Sequence, residues 1–144
     1  MAGRKFVEML SELYKGYGKT NTFMKTAGVM KVLSADAGKV RVEFDVTEEL
    51  TNSIGTLHGG CTATLVDVAT NTALRTLGKK QGVSVDLHVS FLGAAKLGET
   101  VVMDIEVIKA GRSMAFSRAD LYVKGTDRKI ATGNHTKALV NNQI

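Results

Sequence analysis

The segment Gly60-Cys61-Thr62-Ala63-Thr64-Leu65-Val66-Asp67-Val68-Ala69-Thr70-Asn71-Thr72-Ala73-Leu74 is small, apolar or hydroxylated almost throughout. Wound into a helix it has no strongly polar face, and a helix that is apolar nearly all round belongs inside a protein. Asp67 and Asn71 interrupt it, so it falls short of the roughly 18 apolar residues that a membrane span needs. The expectation is a central helix running from Gly60 to about Leu77, entered through the turn His58-Gly59-Gly60 and buried by the rest of the chain.

On both sides of this segment the sequence reads as strands. Val40, Val42, Phe44 and Val46 alternate with Arg41, Glu43 and Asp45, the pattern of a half-buried strand. Met30 to Ser34 supplies its partner through the turn residues Ala35-Asp36-Ala37-Gly38. Beyond the helix, Val83, Val85, Leu87, Val89 and Phe91 alternate with Ser84, Asp86, His88 and Ser90. Val101, Met103, Ile105 and Val107 repeat the pattern. The turn Lys109-Ala110-Gly111-Arg112 then leads into a strand from Ser113 to Lys124. Its apolar phase passes from Met114 and Phe116 to Ala119, Leu121 and Val123, which predicts a β-bulge near Ser117 and Arg118. A last strand runs from Lys129 to about Val140.

At the amino end, Phe6, Met9, Leu10 and Leu13 recur at helical spacing and predict a short amphipathic helix over Lys5 to Tyr14, followed by a loop from Gly16 to Lys25. Strands before and after one buried helix imply an α+β fold, an antiparallel sheet curled around that helix. Residues 1–28 read as an N-terminal helix and loop, and residues 29–144 as the main domain.

Composition bounds the function. A chain of 144 residues fits one domain. The net charge of +5 favours an anionic partner, but the basic residues are scattered and aromatics are only 6%, so a small phosphorylated ligand explains the excess as well as nucleic acid does. Cys61 alone makes no intramolecular disulfide. His58, His88 and His135 are dispersed, with no His-x-x-x-His or Cys-x-x-Cys spacing, so no metal site is expected. The lone thiol points to a cytoplasmic protein. A mitochondrial location stays open, although Glu8 and Glu12 break the acid-poor pattern of a transit peptide.

Asp67 is the single formal charge between Gly59 and Leu74. Burying an ionised carboxylate is costly unless it is paired, hydrogen-bonded or in use. Thr64 and Asn71 share its stripe of the helix. One reading is that Asp67 merely hydrogen-bonds a neighbouring strand. The upstream residues favour a functional one. Asn52-Ser53-Ile54-Gly55-Thr56-Leu57-His58-Gly59-Gly60 is a polar, glycine-rich turn that feeds the helix start. Unpaired N–H groups and the positive end of the helix dipole gather there, and Gly59 and Gly60 leave them accessible. A carboxylate, helix-start donors, Asn52 and His58 together suit acyl transfer or hydrolysis. No Gly-x-Ser-x-Gly elbow is present. Cys61, among alanines and threonines, reads as packing rather than as a nucleophile.

Thr51 to Gly60, with Ala63-Thr64-Leu65-Val66-Asp67, resembles the hot-dog-fold thioesterases related to phenylacetyl-CoA thioesterase. Gly82-Val83-Ser84-Val85-Asp86, Ala95-Lys96-Leu97-Gly98-Glu99 and Gly133-Asn134-His135-Thr136-Lys137 extend the likeness. It covers roughly Val29 to Lys137. The resemblance implies hydrolysis of a medium- to long-chain fatty acyl-CoA, with coenzyme A entering as part of the substrate and no further cofactor. It implies that Asn52 and the N–H of Gly59 polarise the thioester carbonyl and that His58 orients their turn. Asp67 is then general base or nucleophile, and Ser84 helps to position the attacking water. It also implies a homo-oligomer, a tetramer built as a dimer of dimers, with each site shared between two subunits. Phe91-Leu92-Gly93-Ala94 departs from the Tyr and Ser-Pro step more usual in related sequences, which bears on contacts with coenzyme A around Phe91.

The phosphates of coenzyme A give a purpose to Lys96, Lys109, Arg112 and Lys137, which fall at strand ends or turns. The turn Lys109-Ala110-Gly111-Arg112-Ser113 is the preferred contact. Two other functions fit the same fold. A non-catalytic acyl-CoA binding or regulatory module has no need of Asp67, Asn52 and Ser84 together. A dehydratase of hydroxyacyl thioesters often carries its catalytic His beside a proline, and this chain has no proline.

Overall fold

The computed structural model describes residues 2–79 and 82–140. Two helices and six strands follow in the order α1 (Ala2–Gly18), β1 (Lys31–Asp36), β2 (Lys39–Asp45), α2 (Gly59–Ala73), β3 (Gly82–Phe91), β4 (Thr100–Ala110), β5 (Met114–Val123) and β6 (Lys129–Leu139). The strands form one antiparallel sheet in the order β1-β2-β4-β5-β6-β3. The β1–β2 hairpin turns at Ala37-Gly38, where Gly38 takes the left-handed φ of 75° that glycine adopts without steric cost. Val40, Val42, Phe44 and Val46 are all buried, as their alternation predicts.

The sheet curls around α2, which lays Leu65, Val66, Val68, Ala69 and Ala73 into its concave side. Close approach depends on Gly133, where a Cβ would stand 2.9 Å from Val66 Cγ1. A 3₁₀ turn, Leu74–Leu77, extends the helix to the end that the sequence predicts. This curled sheet around one helix is the α+β hot-dog arrangement that the resemblance implied.

The amino-terminal helix is longer than its apolar spacing indicates. It continues to Gly18, and the chain then forms a 3₁₀ turn, Phe23–Val29, capped where Thr22 Oγ1 accepts from the N–H of Met24 at 3.3 Å. The expected loop from Gly16 to Lys25 is therefore confined to a few residues. Helix α1 packs along β1 and buries Leu10 and Tyr14. The Tyr14 hydroxyl lies 2.6 Å from Thr72 Oγ1, which ties α1 to the central helix, and burial pushes its pKa up to about 12.

Two strands differ from the expected phase. No bulge occurs at Ser117 and Arg118, because β5 alternates strictly, with Ala115, Ser117, Ala119, Leu121 and Val123 buried. The small Ser117 fills an inward position while Phe116 points outward, 39% exposed, and that exchange imitates a phase slip in the sequence. The extra residue lies on the facing strand, where Ile108 stands unopposed between the pairs Val107–Ser117 and Lys109–Phe116. The second difference is in β3. The register shifts between Ser84 and Asp86 and leaves Val85 without an opposite residue. Leu87 pairs with His135 and Ser84 with Lys137, so Ser84 joins the concave face instead of alternating away from it.

Candidate active site

The segment entering α2 is built largely by hydrogen bonds to side chains. Asn52 Oδ1 accepts from the N–H groups of Ile54 at 3.0 Å and Thr56 at 3.1 Å, and its Nδ2 donates to Thr56 Oγ1 at 2.8 Å. The amide thus folds its own loop and keeps one N–H for another acceptor. Leu57 donates to the carbonyl of Ala95 at 2.8 Å and His58 to that of Leu50 at 2.9 Å, which anchors the loop.

His58 is the N-cap of α2. Its Nδ1 accepts from the N–H of Gly60 at 2.8 Å, satisfying one of the donors orphaned at a helix start. A Cβ on Gly60 would stand 3.0 Å from that ring, so the residue has to be small. Among the described residues the N–H of Gly59 makes no hydrogen bond and stays available. The Phe91 ring lies close by, 3.3 Å from where a Cβ on Gly59 would be. Asn52, His58, Gly59 and Phe91 form one group of expected site residues around the start of α2.

A second group gathers about two helical turns further along α2. Thr64, Asp67 and Asn71 lie on one half-buried stripe between the buried Leu65, Val66 and Val68, as their spacing predicts. Asp67 itself is not sealed inside the chain, for its side chain is 45% exposed. The apolar sequence around it predicts burial, but within a single chain this part of the helix stays open.

Opposite Asp67 stands His135, which the sequence offers only within the family-like stretch Gly133 to Lys137 and with no role of its own. Its buried ring has Nδ1 2.6 Å from Thr70 Oγ1 and Nε2 2.8 Å from Ser84 Oγ. Asp67 Oδ1 lies 3.7 Å from the same Nε2. Burial pulls the imidazole pKa below its ordinary value. The charge of Asp67 works against that pull, Lys137 adds to it, and Asp86 opposes it. The phase Ala131, Gly133, His135 of β6 was the available signal, since it puts the ring on the face that meets α2.

Lys137 continues that phase. Its place near a strand end suggests a solvent-facing cation, yet it is only 7% exposed, and burial lowers its pKa against the opposing pull of Asp67. The strand turns it inward two residues after His135. Asp67, Ser84, His135 and Lys137 thus form one cluster of charge and hydrogen bonding.

The remaining basic candidates are all exposed. Lys96 is exposed beside the Asn52 loop, bridged to Thr56, with its N–H held by Glu99 Oε1 at 3.0 Å. Lys109, Arg112 and Ser113 are exposed around the β4–β5 turn, which the Gly111 N–H closes on the carbonyl of Met114 at 2.8 Å. Burial raises the Cys61 thiol to about 11, so it is protonated at neutral pH and is a poor nucleophile. A cavity of about 770 Å³ opens beside the helix start, lined by Phe23, Val29, Leu50, His58, Cys61 and Thr64 among others. No described helix is long and apolar enough to cross a membrane.

Residues 54–130 match the Thioesterase superfamily. The chain is 45% identical over 135 residues to human acyl-coenzyme A thioesterase 13, covering 93% of this chain and 96% of the relative. It is 40% identical to the mouse protein of the same name, over 92% of this chain and 95% of the relative. The crystal structure of zebrafish thioesterase superfamily member 2 superposes with a TM-score of 0.87 at 38% identity, covering 93% of this chain and 98% of that one. Matched over more than half of its length, and over nearly all of it by these relatives, the chain belongs to the Thioesterase superfamily.

Proposed function

We propose that the protein hydrolyses the thioester of medium- to long-chain fatty acyl-CoA, releasing the free acid and coenzyme A. The observation that carries this reading is the convergence of Asp67, Ser84 and His135 on an open face of the central helix. A carboxylate there takes the proton of a water that attacks the thioester carbon, with Ser84 helping to position the water. Alternatively it attacks the carbon itself, and water then hydrolyses the resulting anhydride. In both routes the C–S bond breaks and coenzyme A leaves as its thiol. The relatives named acyl-coenzyme A thioesterase 13 support the substrate class.

Geometry also supports a site shared between subunits. Gly59 and Asp67 lie about 12 Å apart along the axis of α2, at the usual 1.5 Å rise per residue, which is too far to serve one carbonyl. In this reading the Gly59 N–H and the spare Asn52 amide hydrogen that hold the oxyanion come from the partner subunit, beside Asp67 of the first. Strand β3 is the natural seam. It is an edge strand, with Val83, Val85 and Phe91 exposed. Pairing two such edges makes a dimer, and two dimers make the tetramer.

The cavity beside the helix start takes the acyl chain. Phe91 lies against the pantetheine arm, and Lys96, Lys109, Gly111, Arg112 and Ser113 meet the phosphates, with Lys137 contributing its charge from inside. A half-buried thiol suits the reducing cytoplasm, or equally the mitochondrion. The test is release of free thiol from acyl-CoA esters of increasing chain length. Turnover that rises towards the longer chains supports the reading. Tight binding without any release of coenzyme A would leave a non-catalytic binding module in its place.

A further inference from the structure

One hydrogen-bond chain can run in two directions, and the backbone contacts of Thr70 favour one of them. Thr70 has a single hydroxyl hydrogen, and its Oγ1 lies 2.8 Å from the carbonyl of Val66 and 3.1 Å from that of Asp67. Carbonyls only accept, and a helical threonine commonly gives its hydrogen to the carbonyl four residues back, which assigns this hydrogen to the backbone of α2. With that assignment Thr70 Oγ1 accepts from the imidazole nitrogen 2.6 Å away, and the hydrogen of neutral His135 sits on Nδ1. Nε2 is left as a bare acceptor, and Ser84 Oγ, 2.8 Å from it, has to be the donor. With its one hydrogen turned inward to the ring, Ser84 presents only lone pairs outward, on the face where Asp67 lies open.

We propose that His135 is a positioning residue that holds Ser84 as a hydrogen-bond acceptor for the attacking water. This rests on the hydrolase reading above. Water then has two acceptors: Asp67 receives the proton released as the oxygen bonds to the thioester carbon, and Ser84 holds the other hydrogen in place. No proton leaves the Thr70–His135–Ser84 chain during the step. The chain is anchored in the backbone of the same helix that carries Asp67, so nucleophile and base are fixed to one rigid element.

The device has an off state. A protonated ring donates from Nε2 to Ser84 or swings that donor towards Asp67, which removes an acceptor from the water and ties up the base. The charged groups facing the ring are Asp67 from α2, Asp86 from β3 and Lys137 from its own strand. Burial and Lys137 keep the ring neutral, against the two carboxylates.

Imidazole ¹⁵N–¹H correlation spectra of the wild-type oligomer read the arrangement directly. The expected His135 pattern is a protonated Nδ1 and an Nε2 that accepts a hydrogen bond, and a protonated Nε2 at neutral pH would overturn the proposal. Kinetics supply a second arm. His135→Ala should lower kcat about 100-fold with KM changed less than about threefold. His135→Gln sets an untitratable carbonyl near the position of Nε2, so it should restore most of kcat above neutral pH and flatten the acid limb. Wild-type kcat in His135→Ala, or an unaltered acid limb in His135→Gln, would overturn the proposal. An Asp67→Asn variant of wild-type activity would instead overturn the hydrolase reading, and the spectrum distinguishes the two failures.

Discussion

Ser84 reaches His135, with Oγ 2.8 Å from Nε2, from a strand in which Val85 stands unopposed between Ser84 and Asp86. In a regular strand Ser84 would face away from Leu87, the residue paired with His135. The bulge turns Ser84 onto the ring and leaves Val85 itself 57% exposed on the sheet edge. With Val85 left out of the ladder, Ser84 shares the face of Leu87 and completes the polar group around Asp67.

Deleting Val85 should leave Ser84 opposite Lys137 and Asp86 opposite Thr136 in regular register, so that Ser84 keeps the face of His135. The expected result is a folded protein whose kcat stays within about threefold of wild type, whereas Ser84→Ala loses at least about tenfold. Circular dichroism and sedimentation check the fold and assembly, and thiol release checks the rate. A deletion variant as slow as Ser84→Ala would mean that the local kink of the bulge, and not the face of the strand alone, brings Ser84 to His135.

That bulge also marks the limit of what the sequence reveals. The fold was legible because Val40 to Val46 and Val101 to Val107 alternate cleanly, and because α2 is too apolar to lie on a surface. Asp67 was legible as the odd charge in that helix, and His58 as part of the turn before it. His135 was not, since its partners Thr70 and Ser84 come from a distant helix and from a strand whose phase is reset by an insertion with no composition signal. Lys137 misled for a related reason: proximity to a strand end says nothing about which face a side chain takes. Phe116 and Ser117 exchanged their expected sides because a partly exposed aromatic reads as core when only polarity is counted.

Stability should fall on mild acidification. The His135 pKa is held below its ordinary value of about 6.5, so between the folded and unfolded values the unfolded chain binds more protons. Its contribution is therefore fully present above about pH 6.5 and is lost as pH falls towards the folded value. Urea midpoints between neutral and mildly acidic pH measure the slope, and His135→Gln should flatten it. A slope of opposite sign would mean that the ring binds protons more tightly in the folded protein, with Asp67 and Asp86 overriding burial.

If each site joins Asp67 of one subunit to Asn52 of the partner subunit, two inactive variants should complement. Asp67→Asn and Asn52→Ala are each expected to lose most activity. After unfolding and joint refolding, random pairing should return about a quarter of wild-type activity, because about half of the dimers carry one intact site of two. No recovery despite mixed dimers would place both residues of a working site in one chain.

The exposed Lys109 and Arg112 flank a tight turn, where each is expected to contribute about 1 kcal/mol towards a phosphate. Replacing both with alanine should raise KM by roughly 10- to 30-fold, leave kcat nearly unchanged, and have less effect as salt rises. A short thioester lacking the nucleotide should show no difference. Loss of kcat at constant KM would assign the hairpin to support of the active site.

The central claim is that Asp67 performs the chemistry, and the most direct measurement is the single-turnover rate of Asp67→Asn with a long-chain acyl-CoA at saturating enzyme. Asparagine keeps the size and the hydrogen-bonding reach but can neither take the proton nor attack the carbon. The expected result is a folded, substrate-binding protein whose rate is at least about 100-fold below wild type. A rate equal to wild type would contradict the account, because the carboxylate would then be a structural group on α2 and the chemistry would lie elsewhere.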